Sequence, residues 1–87
     1  MIDKTNNCRI CGLDLLEPPW GINGDNPIHI ICPCCGAHVG LDDETYEQVI
    51  SYREQWLSDR GKWSVRRHKP DDWNLAEQLK NIPDEYL

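Results

Sequence analysis

Two short stretches constrain this chain more than anything else in it: Cys8-Arg9-Ile10-Cys11-Gly12 and Cys32-Pro33-Cys34-Cys35-Gly36. Each reads Cys-x-x-Cys-Gly. In such a turn the first thiolate ends a strand, the backbone reverses over two residues, and the second thiolate meets the same ion. The glycine lets the chain leave at positive φ with little steric cost. Backbone N–H groups aimed at the sulfurs help carry their negative charge. Two such turns face to face supply four sulfurs, the tetrahedral set of a closed structural zinc site. The spacing therefore assigns Cys8, Cys11, Cys32 and Cys35 to one metal ion per chain. Zinc is the expected metal and iron the alternative, because sequence does not separate the two in a four-thiolate site.

Other uses of cysteine fit less well. A disulfide framework suits an oxidising compartment, yet the chain begins Met-Ile-Asp-Lys with no apolar run of signal-peptide type. Five cysteines would also leave one unpaired. A thioredoxin-like redox pair uses a single CxxC within a βαβ unit, and no helix-period pattern follows either motif here.

Composition explains why a metal would matter. Eighty-seven residues, 39% of them hydrophobic, with no phenylalanine and one methionine, imply one small domain with a modest core. Chains of this size tend to need a metal, disulfides or a partner. Structural zinc contributes on the order of 10 kcal/mol in small zinc peptides near neutral pH, enough to decide between folded and unfolded. The formal charge of −6 would become −8 with four thiolates and one divalent cation. That balance argues against generic binding to nucleic acid or anionic membranes. No stretch approaches transmembrane length, and the expected location is the cytoplasm.

Along the chain, Leu13 to Leu16 reads as a short return strand, and residues 17–27, with three prolines and two glycines, as loop. Trp20 in that loop is expected to lie as a hydrophobic lid over the metal turns. Ile28-His29-Ile30-Ile31 reads as a β-branched strand entering the second turn, and Ala37-His38-Val39 as its exit. The expected fold class is thus small α+β: a rubredoxin-like zinc ribbon of two zinc-knuckle β-hairpins over residues 1–41. A helical extension over 42–87 would pack on it. Within it, Asp42-Asp43-Glu44 suits a helix start. Tyr46, Val49, Ile50, Arg53, Trp56 and Leu57 recur at helical steps, predicting one amphipathic helix over about residues 43 to 60 with Gly61 at its exit. Lys62, Arg66, Arg67, His68 and Lys69 form an irregular basic run. Asn74 with Glu77 marks the start of a short helix over 75–81, with Trp73 positioned to pack on Gln78 or Leu79. The tail, ending Tyr86-Leu87, either tucks in or frays.

Taken together, these motifs resemble a widespread group of small, uncharacterised bacterial zinc-ribbon proteins. The resemblance rests on Cys8 to Gly12, Pro18-Pro19, Ile31 to Gly36, Gly40 to Asp43, Tyr52 to Trp56, Gly61 to Trp63 and Pro70 to Ile82, and so covers nearly the whole chain. It implies a fold and a metal, not an activity. An immunity-type role, neutralising a toxin, is an alternative it also implies. The basic run from Arg66 to Lys69 is not part of the pattern.

Catalysis is not expected. A catalytic zinc keeps one coordination position open, whereas four cysteines leave none. His38 could replace a sulfur, but a strand histidine beside such a turn is more often a surface residue. Ser51, Ser58 and Ser64 have no histidine at a suggestive spacing, and Asp42-Asp43 and Asp71-Asp72 read as helix starts. Cys34, between two ligands, is expected to project away from the metal as an inert surface thiol, a redox-sensitive one or a substitute ligand, the first being a tolerated small residue. The leading functional reading is a non-catalytic module that binds another protein, with the four tryptophans either its interface or its core. The rivals are a rubredoxin-like iron electron carrier and, through the basic run, a nucleic-acid binder. No nucleic-acid or membrane partner is expected, and metal binding is expected to be coupled to folding of both halves.

Overall fold

The two cysteine turns are closed by the same backbone bonds. In the computed structural model, which describes residues 4–87, Cys8 N donates to Leu13 O, Gly12 N to Cys8 O and Leu15 N to Asn6 O, at 2.8, 3.0 and 2.9 Å. In the second turn Cys32 N donates to Ala37 O, Gly36 N to Cys32 O and Val39 N to Ile30 O, each at 2.9 Å. Every partner in the second set stands 24 positions after its counterpart in the first, as Cys32 does after Cys8. One isolated antiparallel bridge accompanies each turn, Asn7 with Asp14 and Ile31 with His38.

Beyond those bridges the expected zinc ribbon of two β-hairpins does not form. Among the described residues there is no strand and no sheet. The cause is local. Asp14 Oδ1 accepts from Leu16 N at 2.8 Å, an Asx turn that reverses the chain, and Leu16 sits at φ 70°. His29, placed in the middle of the second expected strand, sits at φ 54°. A left-handed residue cannot continue an extended ladder. Both expected strands therefore stop almost where the turns end. Without a sheet there is no apolar face to bury, and Leu16 and Ile31 are exposed at 84% and 53%.

The first helix, α1, spans Tyr46–Ser58 rather than 43 to 60. Thr45 sets its start: its side chain accepts from Gln48 N at 3.1 Å, and Gln48 Oε1 accepts from Thr45 N at 3.0 Å, a reciprocal capping box. The acids before it are loop anchors rather than dipole charges. Asp42 accepts from His38 N, while the fully buried Asp43 accepts from Gly40 N at 2.8 Å and from Trp20 Nε1 at 3.0 Å. The buried stripe of α1 is Val49, Arg53 and Trp56; Tyr46 and Leu57, at its edges, are exposed. Gly61 turns the chain out at φ 69°, its N–H donating to Trp56 O.

A 3-10 turn at Arg66–His68 follows, then helix α2 over Leu75–Leu79, shorter than the expected 75–81, and a last 3-10 turn at Asp84–Tyr86. Asn74 accepts from Glu77 N at 3.0 Å to begin α2. Trp73, just before it, donates to Gln78 Oε1 at 2.6 Å.

These elements come together around sulfur. The main buried cluster contains Cys8, Cys11, Cys32, Cys34 and Cys35 together with Ile10, Ala37, Val49, Trp56 and Trp63. Leu13, Leu15, Tyr52, Trp73, Leu75, Leu79 and Tyr86 pack against it half-buried. The four tryptophans thus belong to the packed interior and its margin rather than to an open surface: Trp56 and Trp63 are buried, Trp20 and Trp73 half-buried.

Arg53 is the odd member of α1's buried stripe, and it decides where the helix sits. Its Nε donates to Ile10 O at 2.7 Å, and one terminal nitrogen donates to Arg9 O at 2.8 Å and Tyr86 O at 2.5 Å. One guanidinium therefore joins α1 to the first cysteine turn and to the C-terminal segment. Arg53→Met leaves three carbonyls without this donor and should cost about 3 kcal/mol, given about 1–3 kcal/mol for each buried group left unpaired. Arg53→Lys should recover less than half, since a single ammonium cannot reproduce the planar fork. Urea unfolding of metal-loaded protein checks both; a lysine variant as stable as the parent would contradict this role.

Candidate metal centre

Each Cys-x-x-Cys-Gly turn delivers two sulfurs to the same point. The Sγ atoms of Cys8, Cys11, Cys32 and Cys35 all lie within 4.8 Å of one another, and all four residues are buried. Across the two turns, Cys8 Sγ is 3.8 Å from Cys35 Sγ and Cys11 Sγ is 3.6 Å from Cys32 Sγ. A tetrahedron with metal–sulfur bonds of about 2.3 Å has edges of about 3.8 Å. The donor set and its spacing therefore fit a tetrahedral metal ion: the four cysteines are positioned to hold one.

Electrostatics points the same way. Burial, reinforced by the neighbouring cysteines, pushes the Cys11 thiol well above its ordinary value. Four thiolates could not share so small an apolar volume without a compensating cation. A divalent ion inverts that preference, drawing off the protons as it binds. Tyr52, whose phenol is held up by burial and by Cys35 beside it, stays a neutral donor to Cys35 O at 3.4 Å.

The backbone of both turns is held from the C-terminal half. On the first turn Arg53 binds Ile10 O and Arg9 O, and Gln78 Nε2 donates to Cys11 O at 3.0 Å. Asn7 Nδ2 donates to Asn81 O at 2.8 Å. On the second turn Ser64 N donates to Cys34 O and Val65 N to Pro33 O, both at 2.9 Å. Sequence reasoning missed these supports. Arg53 announced itself by standing within an apolar stripe; nothing in the sequence marks Gln78, Ser64 or Val65.

Other expectations are corrected. Cys34 is not a surface thiol: it is fully buried and accepts from Gln78 Nε2 at 3.2 Å, outside the four-sulfur group. Its neighbour Cys11 and this hydrogen bond pull the Cys34 thiol below its ordinary value against its burial. His38 stands outside the sulfur group too, its ring edge-on to His29 at 5.7 Å. Trp20 is not a lid over the sulfurs. It stacks on Arg9, whose guanidinium lies 4.1 Å from its ring and 4.5 Å from that of Tyr86.

The two turn glycines provide an internal control. Gly12 and Gly36 share a left-handed conformation, φ 84° and 80°, so alanine pays a similar strain of about 1–2 kcal/mol at either. Their surroundings differ. A Cβ on Gly12 would meet Gln78 O at 2.6 Å and Ile82 N at 3.0 Å, backbone that cannot yield without moving the C-terminal segment. On Gly36 it would meet side chains alone among its nearest neighbours, Ser64 at 3.3 Å and the Tyr52 hydroxyl at 3.7 Å. Gly12→Ala should therefore lower the melting temperature and speed metal loss to a chelator clearly more than Gly36→Ala. Equal effects would contradict the docking of the C-terminal segment on the first turn.

No protein-family profile matches the chain, and no solved structure matches it. Among the described residues no helix is long and apolar enough to cross a membrane. The chain is 31% identical over 96 aligned positions to YoaQ, an uncharacterized protein of Bacillus subtilis (strain 168), an alignment that covers 93% of this chain and 76% of YoaQ. By that likeness, over nearly its whole length, the chain belongs to the YoaQ family.

Proposed function

We propose that the protein is a non-catalytic, protein-binding module whose four-cysteine centre holds one structural zinc ion. The observation that carries the metal reading is the mutual spacing of four buried sulfurs, all within 4.8 Å. Such a set fills a tetrahedral site, leaving no position for water or substrate.

The rest of the molecule supports a binding role over a catalytic one. A groove of about 740 Å³ runs between the Trp20 loop and the C-terminal turn. Its cations are already engaged within the fold. Arg9 donates to Asp43 O at 3.0 Å between two aromatic rings, and Lys4 pairs with Asp84 at 3.1 Å. Because the tryptophans are packed within the fold, the contact with a partner falls to other exposed side chains.

Elemental analysis of protein made in cells supplied with both iron and zinc should find one zinc per chain and a colourless solution. A red protein with thiolate-to-iron charge-transfer absorption would overturn the zinc reading. Acid should release the ion, since protons compete for the same sulfurs; a site that retained its metal far below neutral pH would contradict a simple thiolate centre.

A further inference from the structure

The nine lysines and arginines fall into two groups. The four outside residues 60–69 are all engaged. Lys4 pairs with Asp84, Lys80 with Glu77, Arg9 is stacked and hydrogen-bonded, and Arg53 is buried on three carbonyls. The five within it, Arg60, Lys62, Arg66, Arg67 and Lys69, are all exposed, and none makes an ion pair among the described residues. Only Lys69 has an aromatic neighbour, its ammonium 5.3 Å from the Trp73 ring. Exposed Asp59, Asp71 and Asp72 lie close by in sequence, yet the basic side chains reach none of them.

A solvated run of charge would usually ride on a loose loop. This one is fastened. Ser64 N and Val65 N donate to Cys34 O and Pro33 O of the second cysteine turn, and the 3-10 turn at Arg66–His68 follows at once. His68 N closes on Val65 O at 3.0 Å and Lys69 N on Arg66 O at 3.1 Å. Trp63, just before, is buried among the cysteines and meets Trp73 edge-on at 5.8 Å. The four-sulfur centre thus fixes the platform from which these cations project, and preorganised charge loses less freedom on binding than charge on a mobile loop.

We propose that residues 60–69 form the docking surface of the module and that its partner is an acidic segment of another protein. This deepens the protein-binding reading and rests on it. Carboxylates suit the surface better than a nucleic acid does. The chain carries a net charge of −6, and Asp59, Asp71 and Asp72 flank the patch. A long polyphosphate would have to lie across those acids, whereas a short acidic peptide can meet the cations alone. Binding of this kind is steered by charge and weakens with salt.

The test titrates a fluorescein-labelled 15-residue Glu/Asp-rich peptide, and separately a labelled duplex DNA, into the zinc-loaded full chain. The peptide should bind in the micromolar range at low salt, and the DNA at least tenfold more weakly. In 15N–1H spectra the peptide should shift the amides of residues 60–69 and leave those of α1 in place. Arg66→Glu/Arg67→Glu should weaken the peptide at least tenfold with one zinc still bound and circular dichroism unchanged. Lys80→Glu, equal in charge change to either single reversal but outside the patch, should weaken it less than threefold. Duplex DNA binding as tightly as the peptide would overturn the choice of partner. Loss of affinity from Lys80→Glu equal to that from Arg66→Glu/Arg67→Glu would reduce the patch to net charge. No binding to either probe would overturn the docking surface. Zinc content is read on every sample, so failure of the metal reading shows separately from failure of the surface.

Discussion

Four sulfurs from two distant turns must meet at one point while shut away from water, and the rest of the structure follows from that requirement. In a chain this short, with no phenylalanine, there is little else to build a core from. All five cysteines lie in the main buried cluster, and the residues around them are Ile10, Ala37, Val49, Trp56 and Trp63. Thiols are acceptable core residues. Four of them at mutual distances below 4.8 Å are a poor core as thiolates and a strong one around a cation.

The turns alone could not hold that arrangement, since each is a tight loop with one bridge and no sheet behind it. Support comes from elsewhere in the chain, and it is mostly hydrogen bonds to turn carbonyls. Arg53 and Gln78 take the first turn and the backbone of Ser64 and Val65 the second. Hydrogen bonding replaces the sheet that a longer pair of hairpins would have supplied. It also ties α1 to both turns: Arg53 donates to Ile10 O of the first, and Tyr52 to Cys35 O of the second.

The four-sulfur site was legible in the sequence because CxxCG is a local rule: spacing and glycine conformation determine it without knowledge of the rest. The helix near residue 46 was legible for the same kind of reason, through its 3.6-residue period, although its start was misplaced by three residues. The acids at 42–44 mimic a helix N-terminus, and only the structure shows Asp43 buried under Trp20 and Gly40 while Thr45 caps. The strands were misread because β-branched runs such as Ile28 to Ile31 look extended on composition. Their fate turned on two backbone angles, at Leu16 and His29, that composition does not encode. Cys34 was misplaced because its burial depends on Gln78, 44 positions away. Contacts of that kind are the ones a single sequence cannot display.

The measurement that tests this account most directly is hydrogen exchange of the full chain with the metal bound and after its removal by a strong chelator under reducing conditions. If the sulfurs are the centre on which both halves rest, amides of α1 at Val49, Arg53 and Trp56 should lose protection together with those of Gly12 and Gly36. The near-ultraviolet signal of the tryptophans should vanish in the same step. Retention of α1 protection and of the tryptophan signal in the metal-free chain would contradict it, because α1 would then stand without the four-sulfur centre.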